Sequence, residues 1–382
     1  MSARSGSEAP QKLDLTSSDP PLVVVVGSGG VGKTTLAAAM GVESARSGLD
    51  TLVMTFDPSL RLKDALGVDR SAQQDEVTVP LDQTEEGGVL RASLLDAART
   101  FDRLVERYSP DAEARDRILN NRFYRHMAGH LGGILEYMAV ERLYEVASEG
   151  RYDRIFLDTP PTSQAIDFLE APERIVQFLD SGVLKIALRP WFDREGSLRV
   201  SSGIAGFLGR RLESFLDRIV GLQLLRDMSE FFRAFEPLFD GFRRRAEKVQ
   251  ALLRDRGTIF VLVTGPGEAR IPDTLFFARK LTDCGHRLGP VVVNRVHPEF
   301  DPATISSLPT DFREGVDLFR WLGDTHRRSI SHLRELLPTD QVVTEVSLEA
   351  DEPTDLEALA ALGNALGHDL VASCRDAASS SQ

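Results

Sequence analysis

Short apolar runs recur along the chain and predict the strands of a buried sheet. The runs are continuous and do not alternate with polar residues, which is typical of parallel strands covered on both faces. The predicted strands are Leu22–Val26, Thr51–Phe56, Val89–Leu95, Arg154–Leu157, Thr258–Val263 and Pro290–Val293. Helical patterns separate most of them. The sequence therefore predicts an α/β fold with a mostly parallel sheet and with ligands at the carboxyl ends of its strands.

Two intervals between these strands are too long for simple crossover helices. They run from about residue 97 to 150 and from about 171 to 257, and both carry helical patterns. Apolar positions in the second interval have the spacing of one helix face, as in the series Leu208, Leu212, Phe215, Leu216 and Ile219. We expect the two intervals to form a helical subdomain inserted into a domain of residues 21–374. We find no internal repeat.

The two ends of the chain differ from this pattern. Residues 1–20 are rich in Ser, Pro and charged residues, and residues 375–382 have a similar polar composition. Segments of this kind bury too little apolar surface to offset the entropy that is lost on ordering. Both ends are therefore predicted to be disordered.

Composition and charge narrow the class of protein. Hydrophobic residues make up 42% of the chain, enough for a sizeable core, whereas the net charge of −13 disfavours nucleic acid as the main partner. We recognise neither an export signal nor an apolar run of about 18 residues, so we expect no membrane insertion. The two cysteines, Cys284 and Cys374, are isolated and offer no disulfide framework, which is typical of a cytoplasmic protein.

A glycine-rich segment after the first predicted strand has the composition of a phosphate-binding loop. Residues 27–34, GSGGVGKT, match the pattern G-x-x-x-x-G-K-[ST], and a helical pattern follows them. The backbone amides of such a loop and the start of its helix form a nest for an anion. We expect Lys33 to reach the β- and γ-phosphates of ATP, Thr34 to ligate Mg²⁺ and Thr35 to contact the α-phosphate. The predicted nucleotide-binding set is Gly27, Ser28, Gly29, Gly30, Val31, Gly32, Lys33, Thr34 and Thr35.

Two carboxylates follow predicted strands and are candidates for the same site. Asp57, in TFDPSLRLKDAL, is placed to orient and deprotonate an attacking water, with a helix-capping or turn residue as the alternative. Asp158 ends the run RIFLD and is predicted to contact Mg²⁺ through a water, with an ordinary strand-end residue as the alternative. We expect the following Pro160-Pro161-Thr162 to form a rigid segment that responds to the γ-phosphate.

These motifs together resemble the ArsA-type ATPases, a family that includes the arsenite-pump ATPase and the tail-anchored-protein targeting ATPase. GGVGKTT is similar to the family's phosphate loop, FDPSLRLKDAL to its first switch and LDTPPTSQAIDFL to its second. The resemblance implies a SIMIBI-like P-loop NTPase that binds ATP and Mg²⁺ and works as a nucleotide-gated dimer. It also implies that Asp57 positions the water, that Asp158 acts on the Mg²⁺ side and that Asn294, in VVVNRV, contacts adenine. Without the resemblance, Asn294 is a polar residue that ends a strand.

Several residues depart from the family's pattern. Cys284 and Cys374 form neither the CxxC that clamps zinc between two subunits nor the metalloid-binding set, so we expect no zinc and no arsenite transport. The chain has DTPPT where the family usually has DTAPT. In this departure it is similar to a bacterial branch of the family. Ser28 stands where the family has a lysine that reaches the partner's phosphates. We therefore expect either slow hydrolysis by a homodimer or a heterodimer with an ArsA-like paralogue that supplies the lysine.

Two further features leave alternatives open. The interval from 204 to 242 holds seven phenylalanines, which form either an ordinary helical core or a groove for a hydrophobic protein client. His126 and His130 are four positions apart and would share one face of a predicted helix as metal ligands. We recognise no third ligand near them in the sequence, so two partly exposed histidines are the simpler interpretation. Beside the ATPase, the rival hypotheses are a targeting factor for hydrophobic, tail-anchored-like clients and a weakly hydrolysing regulatory subunit that acts as a scaffold.

Overall fold

Eight strands form one sheet in the part of the chain that the computed structural model describes. The described residues are 13–56, 61–68, 76–81, 87–127, 134–160, 162–180, 222–298 and 310–380. The strands are β1 (Leu22–Gly27), β2 (Thr51–Thr55), β3 (Val77–Thr78), β4 (Leu90–Leu94), β5 (Arg154–Asp158), β6 (Thr258–Thr264), β7 (Leu288–Val296) and β8 (Val343–Ser347). Their order across the sheet is β3-β4-β2-β5-β1-β6-β7-β8, and every pair is parallel except β3 with β4.

The predicted α/β architecture with a mostly parallel sheet is confirmed. All six predicted strands are present, and the central strands β1, β2, β5 and β6 are buried along their whole length. The apolar runs do not predict β3 and β8, which are the two edge strands of the described sheet. β3 has only two residues, and β8 carries the half-buried Glu345 among its apolar residues.

The described helices connect and cover the strands. They are α1 (Lys33–Arg46), α2 (Arg61–Leu66), α3 (Ala97–Tyr108), α4 (Ala112–Leu119), α5 (Arg122–Met127), α6 (Ile134–Glu149), α7 (Thr162–Asp180), α8 (Leu222–Phe235), α9 (Phe239–Leu253), α10 (Ile271–Asp283), α11 (Thr310–Leu336) and α12 (Leu356–Ser380). α1 packs against the sheet and against α12. Among the described residues, every helix is too short or too polar to span a lipid bilayer.

The contacts within the chain divide it into two compact units. The first is Met1–Leu95, Val146–Ile166 and Leu252–Gln382, and the second is Asp96–Glu145 and Asp167–Ala251. The predicted limits of the helical insertions fall a few residues later in the chain than these limits. The reason is that α6, α7 and α9 each continue across a limit, so a helical pattern alone does not mark where one unit ends.

The phenylalanines of the interval 204–242 that the structure describes pack inside the second unit. Three of them are buried, namely Phe231, Phe235 and Phe242, and Phe232 and Phe239 are half-buried. The rings of the buried three lie 5.6–6.5 Å from the ring of Phe101 in α3, measured between centroids. This packing is that of a helical core and does not favour a groove for a client. Phe207 and Phe215 lie outside the described residues.

The prediction that residues 1–20 are disordered is wrong for residues 13–20. Leu13 and Leu15 are buried in the core of the first unit. Arg154, fully buried at the start of β5, donates from Nη1 to the carbonyl oxygen of Asp14 at 2.9 Å and from Nη2 to that of Ser17. Burial lowers the pKa of Arg154 to about 10, so the guanidinium stays charged at neutral pH and its bonds are charge-assisted. Two leucines and one buried cation therefore order a segment whose composition is mostly polar.

The prediction for residues 375–382 is wrong for residues 375–380, because α12 continues to Ser380. Extending an existing helix gains one hydrogen bond for each residue that is fixed, whereas starting a new helix costs several. A short polar segment with two alanines can therefore continue a helix that it would not form alone. Residues 1–12 and 381–382 lie outside the described residues.

We predict that the Leu15→Ala variant is less stable than the parent protein. Removing a buried leucine side chain leaves a cavity, and the expected loss in the free energy of unfolding is about 2–5 kcal/mol. Leu318→Ala is the control, because Leu318 is 56% exposed and its removal is expected to cost less than about 0.5 kcal/mol. Urea unfolding followed by circular dichroism measures both, and equal midpoints for the two variants would contradict the burial of the N-terminal segment.

Candidate functional site

The loop between β1 and α1 passes its neighbours at distances that only glycine permits. Gly27 has a φ of 149°, and a Cβ there would lie 2.0 Å from the carbonyl oxygen of Val263 in the adjacent strand β6. Gly32 has a φ of 91°, and a Cβ there would lie 2.3 Å from Nδ2 of Asn294 in β7. Both glycines are therefore required by backbone conformation and by close contact.

Lys33 and the start of α1 give this loop its positive character. Gly32 is the N-cap of α1 and has no side-chain acceptor for the helix amides. The first intrahelical bond runs from the Leu36 N–H to the Gly32 carbonyl oxygen at 3.0 Å. The backbone N–H groups of residues 33–35 therefore come before the first bond of the helix. Lys33 is buried, and its Nζ donates to the carbonyl oxygen of Ser28 at 2.9 Å. The ammonium and the positive end of the helix dipole together favour an anion at the loop.

Asp158 connects the phosphate loop to the strands on one side of it. Its side chain is fully buried at the carboxyl end of β5, in register with Val25 of β1 and Thr55 of β2. The carboxylate oxygen Oδ2 accepts a hydrogen bond from Oγ1 of Thr34 at 2.7 Å and another from Oγ1 of Thr55 at 2.9 Å. The fold therefore brings two predicted site residues, Thr34 and Asp158, into direct contact although 124 positions separate them.

The donor atoms at this contact fit a Mg²⁺ ion. A threonine hydroxyl has one proton and two lone pairs. Because Thr34 gives its proton to Asp158, its oxygen keeps lone pairs for a cation. A hydroxyl and a carboxylate are oxygen groups of the kind that Mg²⁺ prefers. Within the described ranges, no cluster of three or more His, Cys, Asp or Glu side chains offers another metal site, and His130 lies outside those ranges.

Asn294 contacts the phosphate loop on the side opposite to Asp158. It is buried near the carboxyl end of β7, and its Nδ2 donates to the carbonyl oxygen of Val31 at 2.8 Å. Its Oδ1 accepts from the backbone N–H of Arg295 at 2.9 Å. The described contacts of this side chain are thus with the protein itself, and the adenine contact stays a prediction.

Three residues at the site were not predicted from the sequence. Thr55 donates to Asp158, Thr159 donates from Oγ1 to the carbonyl oxygen of Val25 at 2.8 Å, and Arg295 donates from Nη1 to that of Gly30 at 3.3 Å. A signal was present for two of them, since Thr55 is a polar end to an apolar strand and Arg295 is a charge inside the run VVVNRV.

Asp57 lies outside the described residues. Its predicted role at the site therefore stays a prediction. The preceding strand β2 ends beside β5, with Thr55 in register with Asp158.

A glycine loop that leads from a buried parallel strand into a helix, next to a strand-end carboxylate, places the protein among the P-loop NTPases. Within that class, the chain belongs to the anion-transporting ATPase family, whose sequence model matches residues 21–308. The family resemblance of the four motifs is thereby confirmed.

The chain is also similar to individual proteins. An uncharacterized protein of Streptomyces coelicolor is 29% identical over 81% of this chain and 71% of its own length. A protein of Mycobacterium tuberculosis is 36% identical over 38% of this chain and 36% of its own length. The ATPase ASNA1 homolog 1 of Paramecium tetraurelia is 24% identical over 72% of this chain and 74% of its own length. The two bacterial relatives are consistent with the bacterial branch that the DTPPT motif indicates.

We predict that Gly32→Ala destabilises the protein by about 1–3 kcal/mol more than Gly30→Ala, because the new Cβ overlaps the Asn294 amide. Gly30 is a matched control, since it also has a positive φ of 76° but a Cβ there would meet no atom within 4 Å. In an Asn294→Ala background the difference should shrink to below about 0.5 kcal/mol. Unfolding midpoints of the four variants and their parents measure this, and a difference that survives the Asn294 change would contradict the contact.

Proposed function

We propose that this chain hydrolyses ATP in a Mg²⁺-dependent reaction and works as a dimer whose shape depends on the bound nucleotide. The observation that carries the proposal is the 2.7 Å hydrogen bond between Oγ1 of Thr34 and Oδ2 of Asp158, which joins the loop helix to the strand-end carboxylate. Membership of the anion-transporting ATPase family supports the class of reaction.

Each site residue has a separate task in this proposal. Lys33 binds the β- and γ-phosphates and offsets the negative charge that spreads over them during bond cleavage. Thr34 and Asp158 hold Mg²⁺, which when bound neutralises charge on the phosphate oxygens. Asp57 orients the attacking water for in-line displacement. The support for this last assignment is the place of Asp57 just after β2 and its match to the first switch motif.

The proposed nucleotide gating is supported by where the chain leaves the sheet after β2 and after β5. The N–H of Phe56 donates to the carbonyl oxygen of Asp158 at 3.3 Å, so the chain after β2 begins next to the carboxylate. Thr159 begins the other segment and is tied to Val25 through its hydroxyl. Loss of the γ-phosphate changes the contacts of Asp158, and both segments then respond at their first residues.

We predict that Lys33→Ala abolishes ATP turnover, because the phosphates lose the cation that binds them. Lys248→Ala is the control, since Lys248 is exposed on α9 in the second unit. Phosphate release by the two purified variants measures the difference. Near-normal turnover by Lys33→Ala would overturn the mechanism.

Ser28 leaves this chain without the lysine that the family has at this position of the loop. A serine is short and neutral, so it cannot supply charge to the phosphates of a partner subunit as the lysine at this position in the family does. The Lys33 contact uses only the backbone carbonyl of Ser28, so it is independent of the side chain. We therefore propose two alternatives, a homodimer that hydrolyses ATP slowly and a heterodimer in which an ArsA-like paralogue supplies the missing lysine. In the second case the chain acts as a regulatory subunit.

We predict that Ser28→Lys raises the ATPase rate of the isolated protein, whereas Ser28→Ala leaves it unchanged. The lysine restores the charge that acts across a dimer, and both variants keep the backbone carbonyl that Lys33 contacts. Steady-state hydrolysis by each variant, alone and mixed with an ArsA-like paralogue, is the measurement. No increase for Ser28→Lys would count against both alternatives. Stimulation of the parent protein by the paralogue would select the heterodimer.

A further inference from the structure

Arg295 interrupts strand β7 in a way that needs an explanation. It has a φ of 65° and is the one non-glycine residue with a positive φ among those that the structure describes. The register between β7 and β8 shifts between Asn294 and Val296, on either side of it. Left-handed residues and bulges cost free energy, and they occur next to functional sites because they re-aim a side chain.

The bulge directs the guanidinium of Arg295 onto the phosphate loop. Its Nη1 donates to the carbonyl oxygen of Gly30 at 3.3 Å, and its Nη2 donates to Oε1 of Glu352 at 3.1 Å. The backbone N–H donates to Oδ1 of Asn294, so the same asparagine that braces Val31 also stabilises the unusual backbone. About half of the Arg295 side chain, 48%, remains exposed and open to a ligand.

The position of β7 in the sheet decides which part of a nucleotide Arg295 faces. The phosphates bind where β1 meets α1, and β7 is separated from β1 by β6 alone. Two strand spacings amount to about 10 Å across the sheet. The ribose and base of a nucleotide extend away from the phosphates, so a side chain that starts at β7 and reaches back to Gly30 borders the path of the base.

The charges near Arg295 favour the base over the phosphates. Glu352 places a carboxylate against the guanidinium, which disfavours a polyanion at the same point. Lys33 already supplies the cation inside the loop. A planar guanidinium stacks well on an aromatic ring, and purines are bound in this way by arginine side chains.

We infer that Arg295 forms one wall of the base site and covers a face of the bound purine. This inference rests on the proposed function, because it assumes that a nucleotide occupies the loop. It assigns to Arg295 a contact with the base and assigns no phosphate contact to it.

The test compares the binding of two probes, ADP and inorganic tripolyphosphate, to the full chain by isothermal titration calorimetry in the presence of Mg²⁺. Arg295→Asn is the variant, since asparagine tolerates a positive φ and the backbone is kept. We expect the affinity for ADP to fall about tenfold, as for loss of one cation–π contact, with the affinity for tripolyphosphate unchanged.

Arg334→Ala is the matched control. Arg334 is also 48% exposed and also donates to one glutamate, Glu345, and to one carbonyl oxygen, that of Val343. It lies on α11, and its replacement should alter neither affinity. An equal fall for both probes in Arg295→Asn would place the guanidinium on the phosphates, and no fall for either would show that it contacts no part of the nucleotide. Both results overturn the inference.

Two different outcomes distinguish a failure of the base contact from a failure of the proposed ATP hydrolysis. If Arg295→Asn loses ADP affinity selectively while Lys33→Ala keeps normal turnover, the contact of Arg295 with the base is supported and the hydrolytic mechanism is wrong. If Lys33→Ala loses turnover while Arg295→Asn binds ADP like the parent, the hydrolytic mechanism is supported and the contact of Arg295 with the base is wrong. Equal unfolding midpoints of Arg295→Asn and the parent protein would show that the change in affinity does not come from a loss of folded structure.

Discussion

The buried carboxylate of Asp158 is the contact on which the arrangement of the phosphate site depends. A carboxylate without exposure to water is costly unless hydrogen bonds compensate it, and here the hydroxyls of Thr34 and Thr55 donate to one of its oxygens. These bonds hold the first turn of α1 and the ends of β2 and β5 in one register. A shift of any one of the three segments would leave a buried charge with fewer partners, so the site and the centre of the sheet are stabilised together.

On the side of β6 and β7, close packing restricts which residues the phosphate loop can contain. Val263 and Asn294 approach Gly27 and Gly32 so closely that no Cβ fits between them. Asn294 then uses its amide twice, once to bind Val31 and once to stabilise the left-handed backbone of Arg295. The loop is therefore held between a carboxylate on the β5 side and an amide on the β7 side.

Prediction from the sequence succeeded where one physical pattern dominates. Central parallel strands are buried on both faces, so β1 and β6 are apolar without interruption and were predicted within a residue or two of their ends. It failed where a few residues decide the outcome. β8 is an edge strand with Glu345 in its middle, and the segment before β1 is ordered by Leu13, Leu15 and the buried Arg154. Such contacts join residues far apart in the chain, and no local pattern contains them.

The sequence by itself determined the chemistry that the protein can offer, because GSGGVGKT, Asp158 and the replacement of lysine by Ser28 are statements about residue types and their order. Only the tertiary structure decided which of these groups meet. The hydrogen bond from Thr34 to Asp158 spans 124 positions, and the bulge that turns Arg295 towards Gly30 depends on the register of β7 against β8. The physical reason is that strand pairing sets distances across the sheet, whereas a motif sets only distances along the chain.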